Sequence, residues 1–259
     1  MPILNKIPSP AHANAEPDGV KMAKGFTFKQ FHVDDHGCGM PVSTDGVLLG
    51  TWAGLPELGE ILDIGTGSGL LALIAAQRTG HTSLPVTAVE IDQPAANAAR
   101  KNFADSPWAS RLHCIEHNVQ TWAQAQPTGR FNAIVCNPPY FNNGQQADSQ
   151  ARATARHTDS LSHSDLLTVI RHLLSEDGNA SLILPEYEGR QLIEQATQHK
   201  LFCRRVCEVR GTERKPVTRL LITLSPQSGD TVSEALCIHH QGAYSEAFTT
   251  LTSDFYLKL

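Results

Sequence analysis

The chain has 259 residues, of which 41% are hydrophobic and 18% charged, a balance typical of one globular domain with a short extension. No apolar run approaches the roughly 18 residues that a membrane-spanning helix needs, and the first residues lack the pattern of a targeting signal. The formal net charge of −5 argues against indiscriminate binding to nucleic acid but leaves room for a local basic face. We therefore expect a cytoplasmic protein with a flexible tail over residues 1–20 and a single domain over residues 21–259.

The cysteines and histidines do not predict a metal site. Cys203 and Cys207 lack the second ligand pair of a zinc site, and although their spacing allows a disulfide, six scattered cysteines favour buried, reduced thiols. The twelve histidines show no spacing typical of metal ligands.

Short apolar runs alternate with helical stretches from about residue 60 onward. Strands are predicted over 60–64, 86–91, 112–116, 131–136, 180–184, 202–210 and 217–224. Helices are predicted over 69–78, 94–103, 164–174 and 188–199. This alternation predicts an α/β fold on a doubly wound, mostly parallel sheet of seven strands, whose ligands bind beyond the carboxyl ends of the strands. The segments 21–59 and 226–259 lie outside the alternation and are interpreted as extensions of the domain.

A glycine-rich turn, DIGTGSG over residues 63–69, follows the first predicted strand. Three glycines at alternate positions let the backbone turn tightly and approach a ligand, and the next helix offers free N–H groups. Dinucleotide folds use similar physics with the spacing G-x-G-x-x-G and place a pyrophosphate at the helix end. Here the spacing is G-x-G-x-G and Asp63 precedes it. A carboxylate at this place repels pyrophosphate and favours a cationic or zwitterionic ligand, such as S-adenosylmethionine.

The next two strand ends supply side chains for the rest of such a ligand. Glu90, at the end of the second strand, can accept both ribose hydroxyls. Asn118 and Val119 are predicted to end the third strand, where the amide would read the adenine edge and Val119 would pack on the ring. A purely structural loop beside a solvated acid is the alternative, but it does not account for acids at both strand ends.

The sequence Asn137-Pro138-Pro139-Tyr140 follows the fourth predicted strand directly. Two successive prolines end both helix and sheet, which gives a rigid turn. The exocyclic amine of adenine is a poor nucleophile because its lone pair is delocalised into the ring. If the Asn137 oxygen and the Pro138 carbonyl accept its two hydrogens, the lone pair is directed at the methyl group, and Tyr140 can stack on the base. A structural Asn-Pro turn is the alternative, but the motif lies at a strand end of the same sheet as the glycine-rich turn.

Together these motifs resemble those of class I S-adenosylmethionine-dependent methyltransferases that act on planar amino groups. The segments GFTFKQF (25–31), STDGVLLG (43–50), YSEAF (244–248) and FYL (255–257), with residues 61–73, narrow the resemblance to the bacterial tRNA1(Val) (adenine-N6)-methyltransferases, over about residues 20–259. The resemblance implies a Rossmann-like fold, S-adenosyl-L-methionine as cofactor, and the adenosine just 3′ of the anticodon of a valine tRNA as substrate.

The resemblance also implies two sets of site residues. The catalytic set is Asn137, Pro138, Pro139 and Tyr140. The cofactor-binding set is Phe28, Gln30, Thr44, Asp45, Gly46, Asp63, Gly65, Thr66, Gly67, Glu90, Ile91, Asn118 and Val119, of which the residues within 28–31 and 44–46 would close over the methionine end. Thr44 and Asp45 are equally consistent with a helix cap, and both roles can hold. Many relatives have Asp at the position of Asn118, whereas Asn can donate or accept.

Basic clusters are the candidates for holding RNA. Over residues 204–219, six Lys and Arg residues face two Glu, and the loop GTERKP (211–216) between the last two strands is a natural contact for phosphate. Simple solvated faces are the alternative. The predicted RNA-binding residues are Lys24, Lys29, Arg152, Arg156, Arg210, Arg214 and Lys215.

Three alternative functions stay open. Protein glutamine N-methyltransferases also use N-P-P-Y on a planar amide, but they carry a helical N-terminal domain, and residues 1–60 show no long helical period. A DNA adenine methyltransferase would need a target-recognition domain, which is not visible. A non-catalytic RNA- or nucleotide-binding module would have no use for the N-P-P-Y turn. The favoured hypothesis is a tRNA adenine-N6 methyltransferase that needs neither a metal nor a membrane. The sequence leaves its oligomeric state open, with a monomer slightly favoured.

Overall fold

The computed structural model describes residues 25–35, 38, 41–138 and 161–258. Five predicted site residues and the predicted tail over residues 1–20 lie outside the described residues. The five are Lys24, Pro139, Tyr140, Arg152 and Arg156.

Eleven strands are formed within the described residues. They are β1 (Phe26–Thr27), β2 (His32–Val33), β3 (Ile61–Ile64), β4 (Val86–Glu90), β5 (Leu112–Glu116), β6 (Phe131–Cys136), β7 (Leu174–Pro185), β8 (Phe202–Thr212), β9 (Val217–Ser225), β10 (Val232–His240) and β11 (Ala243–Tyr244). β1 and β2 form a small hairpin, and the other nine form one sheet in the order β11-β10-β8-β9-β7-β6-β3-β4-β5. β9 is antiparallel to β7 and β8, and β11 is antiparallel to β10, whereas the remaining neighbours are parallel.

The predicted mostly parallel α/β sheet is confirmed, but its predicted strand number is wrong. All seven predicted strands are present, and β10 and β11 extend the sheet to nine. Both added strands come from the C-terminal segment. Only Leu236 of β10 is buried, so the sequence of this strand lacks the continuous apolar pattern by which the central strands were predicted. β7 is also longer than predicted, because its polar first half continues directly from the preceding helix.

Seven α-helices in the described part of the chain cover the sheet in two layers. They are α1 (Thr44–Trp52), α2 (Leu70–Arg78), α3 (Gln93–Ala104), α4 (Val119–Gln124), α5 (His163–Leu173), α6 (Glu186–Ala196) and α7 (Glu246–Thr252). One core packs α4, α5 and α6 on one face, and two further cores pack α1, α2, α3 and α7 on the other. No helix among these is long and apolar enough to cross a membrane.

The central strands are apolar along their whole length because both of their faces are covered. Every residue of β3 and β4 is buried, as expected for parallel strands between two helical layers. The ends of these strands are in register, since Ile64 pairs with both Val89 and Cys136, and Glu90 pairs with Glu116. The residues that follow β3, β4, β5 and β6 therefore lie along one edge of the sheet, called here the carboxyl edge. β7, β8 and β10 run in the same direction and end at this edge as well.

The six cysteines are all free thiols. Cys136 and Cys207 are buried, whereas the other four are half-buried rather than buried as predicted.

Candidate functional site

Asp63, at a buried position in β3, stabilises the glycine-rich turn through hydrogen bonds. Its side chain is completely buried, and Oδ2 accepts hydrogen bonds from the Thr66 hydroxyl (2.5 Å) and the Ala72 amide (3.1 Å). Burial, with a smaller contribution from the nearby charge of Glu90, raises the pKa of Asp63 to about 7. The second oxygen, Oδ1, is buried without a hydrogen-bond partner among the described residues. An unpartnered buried acceptor at this place is a group that a bound cationic or zwitterionic ligand can satisfy.

The three glycines of the turn have different structural roles. Gly65, Gly67 and Gly69 have φ angles of 69°, 57° and 90°, a region that strains other residues. A Cβ added at Gly69 would lie 2.5 Å from the ring of Phe103, so this glycine permits the packing of α2 on α3. A Cβ at Gly65 or Gly67 would meet nothing within 4 Å. Their bare backbone therefore faces open space, which leaves room for close approach by a ligand.

Glu90 ties the glycine-rich turn to the end of β4. Its Oε2 accepts from the Gly67 amide (2.8 Å), and Oε1 accepts from the amides of Ile91 and Asp92 (both 2.9 Å). A carboxylate offers about four acceptor positions, so roughly one remains, on Oε2. A single hydroxyl can be accepted there directly. The predicted contact with both ribose hydroxyls requires that one of the backbone bonds be exchanged.

Asn118 and Val119 do not end a strand, contrary to the prediction. β5 ends at Glu116, Asn118 is the N-cap of α4, and Val119 is the first residue of that helix. The side-chain Oδ1 of Asn118 accepts from the amides of Gln120 (2.8 Å) and Thr121 (3.3 Å), the usual pattern of an N-cap. Because capping occupies the oxygen, the amide nitrogen is the group left to contact a ligand. Asn118 therefore offers a donor where Asp would offer an acceptor.

The N-P-P-Y motif starts beside the glycine-rich turn. Asn137 and Gly65 are the residues directly after the paired strand ends Cys136 and Ile64, so they occupy adjacent positions on neighbouring strands. They line the same cleft at the carboxyl edge. The lining residues are Pro41, Val42, Ser43, Gly46, Gly65, Thr66, Gly67, Ser68, Leu70, Leu71 and Asn137. Pro138, the next residue, is buried. The first residue of the N-P-P-Y motif and the glycine-rich turn therefore share one cleft.

The start of α1 forms another wall of this cleft. The N-cap is Ser43 rather than Thr44, since the Ser43 hydroxyl accepts from the Gly46 amide (3.2 Å) and Thr44 is already helical. The predicted cap is therefore wrong by one residue. Asp45 forms an ion pair with Arg219 (2.7 Å), which anchors the first turn of α1 to β9. Gly46 packs closely against Leu70, since a Cβ there would lie 2.8 Å from a terminal methyl group of that side chain, which would have to shift.

Asn102, which the sequence did not single out, joins the N-terminal segment to the glycine-rich turn. It lies on α3 with 2% of its surface exposed. Its Oδ1 accepts from the Asp34 amide (3.0 Å), and its Nδ2 donates to the carbonyls of Asp34 (2.9 Å) and Ser68 (2.8 Å). The sequence could have indicated this residue. Ala95, Ala99 and Asn102 lie on one buried face of the helix, and Asn102 is the polar residue on that otherwise apolar face.

The hairpin β1–β2 does not lie over the cleft, where its residues were predicted to close over the methionine end of the cofactor. Phe28 is a core residue that stacks on Phe31 (4.7 Å between ring centroids) and Tyr256 (6.1 Å). Gln30 lines a separate cavity with Gln77, at the C-terminal end of α2, whereas the glycine-rich turn precedes the N-terminal end. α2 is about 13 Å long, so Gln30 lies well away from the cleft, and neither Gln30 nor the buried Phe28 is one of the residues that line it. The segment that reaches the glycine-rich turn instead comes after the hairpin, at Asp34.

The predicted RNA-binding residues are in different environments. Lys29 lines the same cavity as Gln30, and its Nζ donates to the Ser253 carbonyl (2.6 Å). Arg210 forms an ion pair with Glu208 (3.1 Å). Arg214 and Lys215 are exposed on the turn between β8 and β9, at the carboxyl edge, and form no ion pair within the part of the chain that the structure describes.

The rest of the C-terminal basic cluster is structural. Arg205 forms an ion pair with Glu234 (2.7 Å) and lies 4.1 Å above the ring of Trp52. Arg204 lies at the beginning of β8, at the end opposite to Arg214. The local excess of positive charge in the sequence is therefore divided between the two ends of the sheet. Across the described ranges, no group of three His, Cys, Asp or Glu side chains is placed to bind a metal ion.

Comparison with known proteins identifies the family of this chain. The profile of the family described as methyltransferase small domain matches residues 47–180, more than half of the chain, from α1 through both motifs. The tRNA1(Val) (adenine(37)-N6)-methyltransferase of Photobacterium profundum is 61% identical over 240 residues, covering 92% of this chain and all of that protein. The protein of the same name from Vibrio cholerae serotype O1 is 50% identical over 236 residues, covering 91% of this chain and 96% of that protein.

The fold is shared with more distant methyltransferases. A crystal structure of a predicted O-methyltransferase from Agrobacterium tumefaciens superimposes with a TM-score of 0.61 at 19% identity, over 82% of this chain and 96% of that chain. At this identity the likeness concerns the fold alone. The family match and the two close relatives carry the assignment further: the chain belongs to the methyltransferase small domain family and, within it, to the family of the tRNA1(Val) (adenine(37)-N6)-methyltransferases.

Proposed function

We propose that this protein is an S-adenosyl-L-methionine-dependent methyltransferase that methylates the N6 amine of adenosine 37, just 3′ of the anticodon, in a valine tRNA. The observation that carries the proposal is the strand register that brings Asn137 beside Gly65 in one cleft. The substrate follows from the name of the relative that is 61% identical over nearly the whole chain.

The residues at the carboxyl edge fit this cofactor. Gly65 and Gly67 leave bare backbone facing open space, and Asp63 holds an unpartnered buried oxygen behind them. Glu90 has an acceptor position for a ribose hydroxyl, and Asn118 has a donor for the adenine. Ile91, which is 50% exposed directly after Glu90, offers an apolar surface on which the adenine ring can pack. The buried acids Asp63 and Glu90 make the site unsuitable for a pyrophosphate.

Other predicted cofactor contacts belong to the same proposal. Thr44, Asp45 and Gly46 lie at the start of α1, where Gly46 lines the cleft. Thr66 also lines it and is held by its bond to Asp63. Bound S-adenosylmethionine would supply an electrophilic methyl group at this place.

The role of this chain is to bind and orient the amine. We assign to the Asn137 side-chain oxygen and the Pro138 carbonyl the acceptance of the two N6 hydrogens, which would direct the nitrogen lone pair into the cleft. Asn137 is suited to this because β6 and the proline after it hold its backbone rigidly. Tyr140 is proposed to stack on the base. A strong general base is unnecessary, because the amine becomes acidic as it is alkylated.

The test is methyl transfer from labelled S-adenosylmethionine to total tRNA that lacks this modification, followed by nucleoside analysis. We expect N6-methyladenosine in one valine tRNA. Label that enters a protein glutamine or DNA instead, with none in tRNA, would overturn the proposal and support one of the alternative methyltransferase functions.

A further inference from the structure

Two turns lie side by side at the carboxyl edge, on the side of Asn137 away from the glycine-rich turn. One turn joins β8 to β9, and the other joins β10 to β11. Their strands are paired, with His239 opposite Thr212. Two histidines connect them: Nδ1 of His239 donates to the Gly211 carbonyl (3.2 Å), and Nδ1 of His240 contacts a Glu213 carboxylate oxygen (2.8 Å). The two turns therefore form one structural unit.

An exposed pair of stacked rings lies on this unit. Tyr244 is paired with His239 across β10 and β11, and their rings stack at 5.0 Å with an angle of 24° between the planes. The stack continues inward from Tyr244 to the buried Phe248 (4.7 Å, 23°) and then to Tyr256 (6.2 Å, 28°). Tyr244 nevertheless keeps 45% of its surface exposed. Because its inner end is packed in the core, the ring pair is held rigidly.

Two cations accompany the rings. Arg214 and Lys215 are exposed on the β8–β9 turn and have no ion-pair partner within the described ranges, while the neighbouring Glu213 is engaged by His240. Rigid aromatic planes beside unpaired cations are what proteins use to bind unpaired nucleotides, with bases stacked on the rings and phosphates on the cations. In a chain of net charge −5, attraction of RNA cannot come from overall charge and must come from local contacts of this kind.

The position of the rings shows which nucleotides they can reach. Four strand spacings separate β10 from β6, which carries Asn137 at its end, a distance of about 19 Å. Stacked nucleotides are only about 3.4 Å apart. The rings are thus too far away to hold the base that is methylated, but close enough for nucleotides further along the same RNA.

We propose that His239, Tyr244, Arg214 and Lys215, called here the stacking platform, bind unpaired nucleotides of the substrate RNA outside the methylated adenosine. This inference rests on the proposed function and adds a second, separate RNA contact to it. The platform positions the RNA, and none of its residues touches the reacting atoms.

The rings are tested in the full-length protein with Tyr244→Ala and Tyr244→Trp. The probe is a fluorescently labelled synthetic stem-loop with the anticodon-arm sequence of a valine tRNA, and its Kd is measured by anisotropy. We expect Tyr244→Ala to raise this Kd by about tenfold or more, because the ring that supports the outer ring of His239 is lost, and Tyr244→Trp to stay within about twofold. The Kd of S-adenosylmethionine, measured by calorimetry, should be unchanged in both.

The cations are tested with the double variant Arg214→Ala/Lys215→Ala. The matched control is Lys200→Ala/Arg204→Ala, which removes the same charge at the opposite end of β8. We expect the platform variant to weaken RNA binding and to reduce the slope of log Kd against log salt by roughly 1.4 to 1.8, as for the loss of two phosphate contacts. The control should keep the wild-type slope.

The outcomes distinguish failure of the stacking platform from failure of the proposed function. Methylation of tRNA by the wild type, with RNA affinity and salt slope unchanged in both platform variants, would overturn the platform and leave the proposed function intact. A wild type that neither binds nor methylates RNA would overturn both. If Tyr244→Ala also loses the cofactor, its fold is disturbed, and His239→Ala takes its place; an unchanged RNA Kd in that variant would overturn the platform.

Discussion

The carboxyl edge has two halves that are built in different ways. The half beyond β3, β4 and β5 contains the buried carboxylates of Asp63 and Glu90, and three of their four oxygens accept hydrogen bonds from backbone amides. The half beyond β8 and β10 consists of exposed side chains, such as Arg214 and Tyr244, that project from paired turns. Asn137 lies between them, at the end of β6.

The difference matches what the two proposed ligands require. A small zwitterionic cofactor needs a few groups held rigidly at short range, and burial provides that rigidity. A large polyanion needs contacts spread over a surface that it can reach, and exposure provides access. If this division is correct, changes in one half should affect binding of one ligand and spare the other.

The largest effect is expected where the two halves meet. Asn137→Ala should lower kcat by at least 100-fold, because the acceptor that orients the amine is removed, in the range seen when one polarising group is lost. The Kd of S-adenosylmethionine should stay within a few-fold, as should the Kd of RNA. Calorimetry and single-turnover methyl transfer would measure these quantities. Loss of cofactor affinity in this variant would contradict the role assigned to Asn137.

A smaller effect is expected from the glycines of the cofactor half. Gly67→Ala places a methyl group in the open space of the cleft and adds about 1–2 kcal/mol of backbone strain, so the Kd of S-adenosylmethionine should rise by tenfold or more with little change in RNA affinity. Gly69→Ala instead clashes with Phe103, so its main effect should be a lower Tm. Equal effects of the two substitutions on Tm and on cofactor binding would remove the distinction drawn between these glycines.

Asn102→Ala tests whether the N-terminal segment belongs to the cofactor half. It leaves polar groups of Asp34 and Ser68 without their partner, at a cost of about 1–3 kcal/mol each when buried. We expect KM for S-adenosylmethionine to rise by roughly tenfold while kcat changes little, with faster hydrogen exchange at the Asp34 amide. The control is Asn97→Ala on the exposed side of the same helix, which should behave as wild type. Equal behaviour of the two variants would separate Asn102 from the cofactor site.

The smallest effect is expected from the protonation of Asp63, and it is an effect on the free energy of unfolding rather than on activity. Its folded pKa is about 7 against an ordinary value of 3.8, so the folded state holds the proton more tightly than the unfolded state. The contribution of Asp63 is therefore most favourable below about pH 4 and is lost as the pH rises toward 7. The free energy of unfolding of wild type relative to Asp63→Asn, from denaturant titrations, should decrease across this range. A difference that is independent of pH would mean that the carboxylate stays ionised when buried.

Much of the cofactor half could be predicted from the sequence because local chemistry determines it. The strands beside the site were located to within a residue or two, since strands covered on both faces are continuously apolar. Positive φ angles explain the glycines at 65 and 67, and Pro138 explains why β6 ends at Cys136, just before Asn137. Two of the errors, the cap at Ser43 rather than Thr44 and the capping role of Asn118, concern one or two residues at helix ends. The placement of Phe28 and Gln30 away from the cleft depended instead on how the hairpin β1–β2 packs in the folded chain.

The exposed half depended on contacts that only the tertiary structure forms. Five of the nine residues of β10 are exposed and one is buried, so its sequence lacks the apolar pattern that reveals buried strands, and the two added strands were missed. The bond from Asn102 to Asp34 spans 68 positions of the chain, and the Asp45–Arg219 pair spans 174. The sequence by itself determined the α/β class, the glycine-rich turn and the end of β6 before Asn137, because each depends on backbone conformation. Which arginines are paired and which stay exposed, and which rings stack, was decided by the folded chain, because those contacts join distant residues that no local pattern relates.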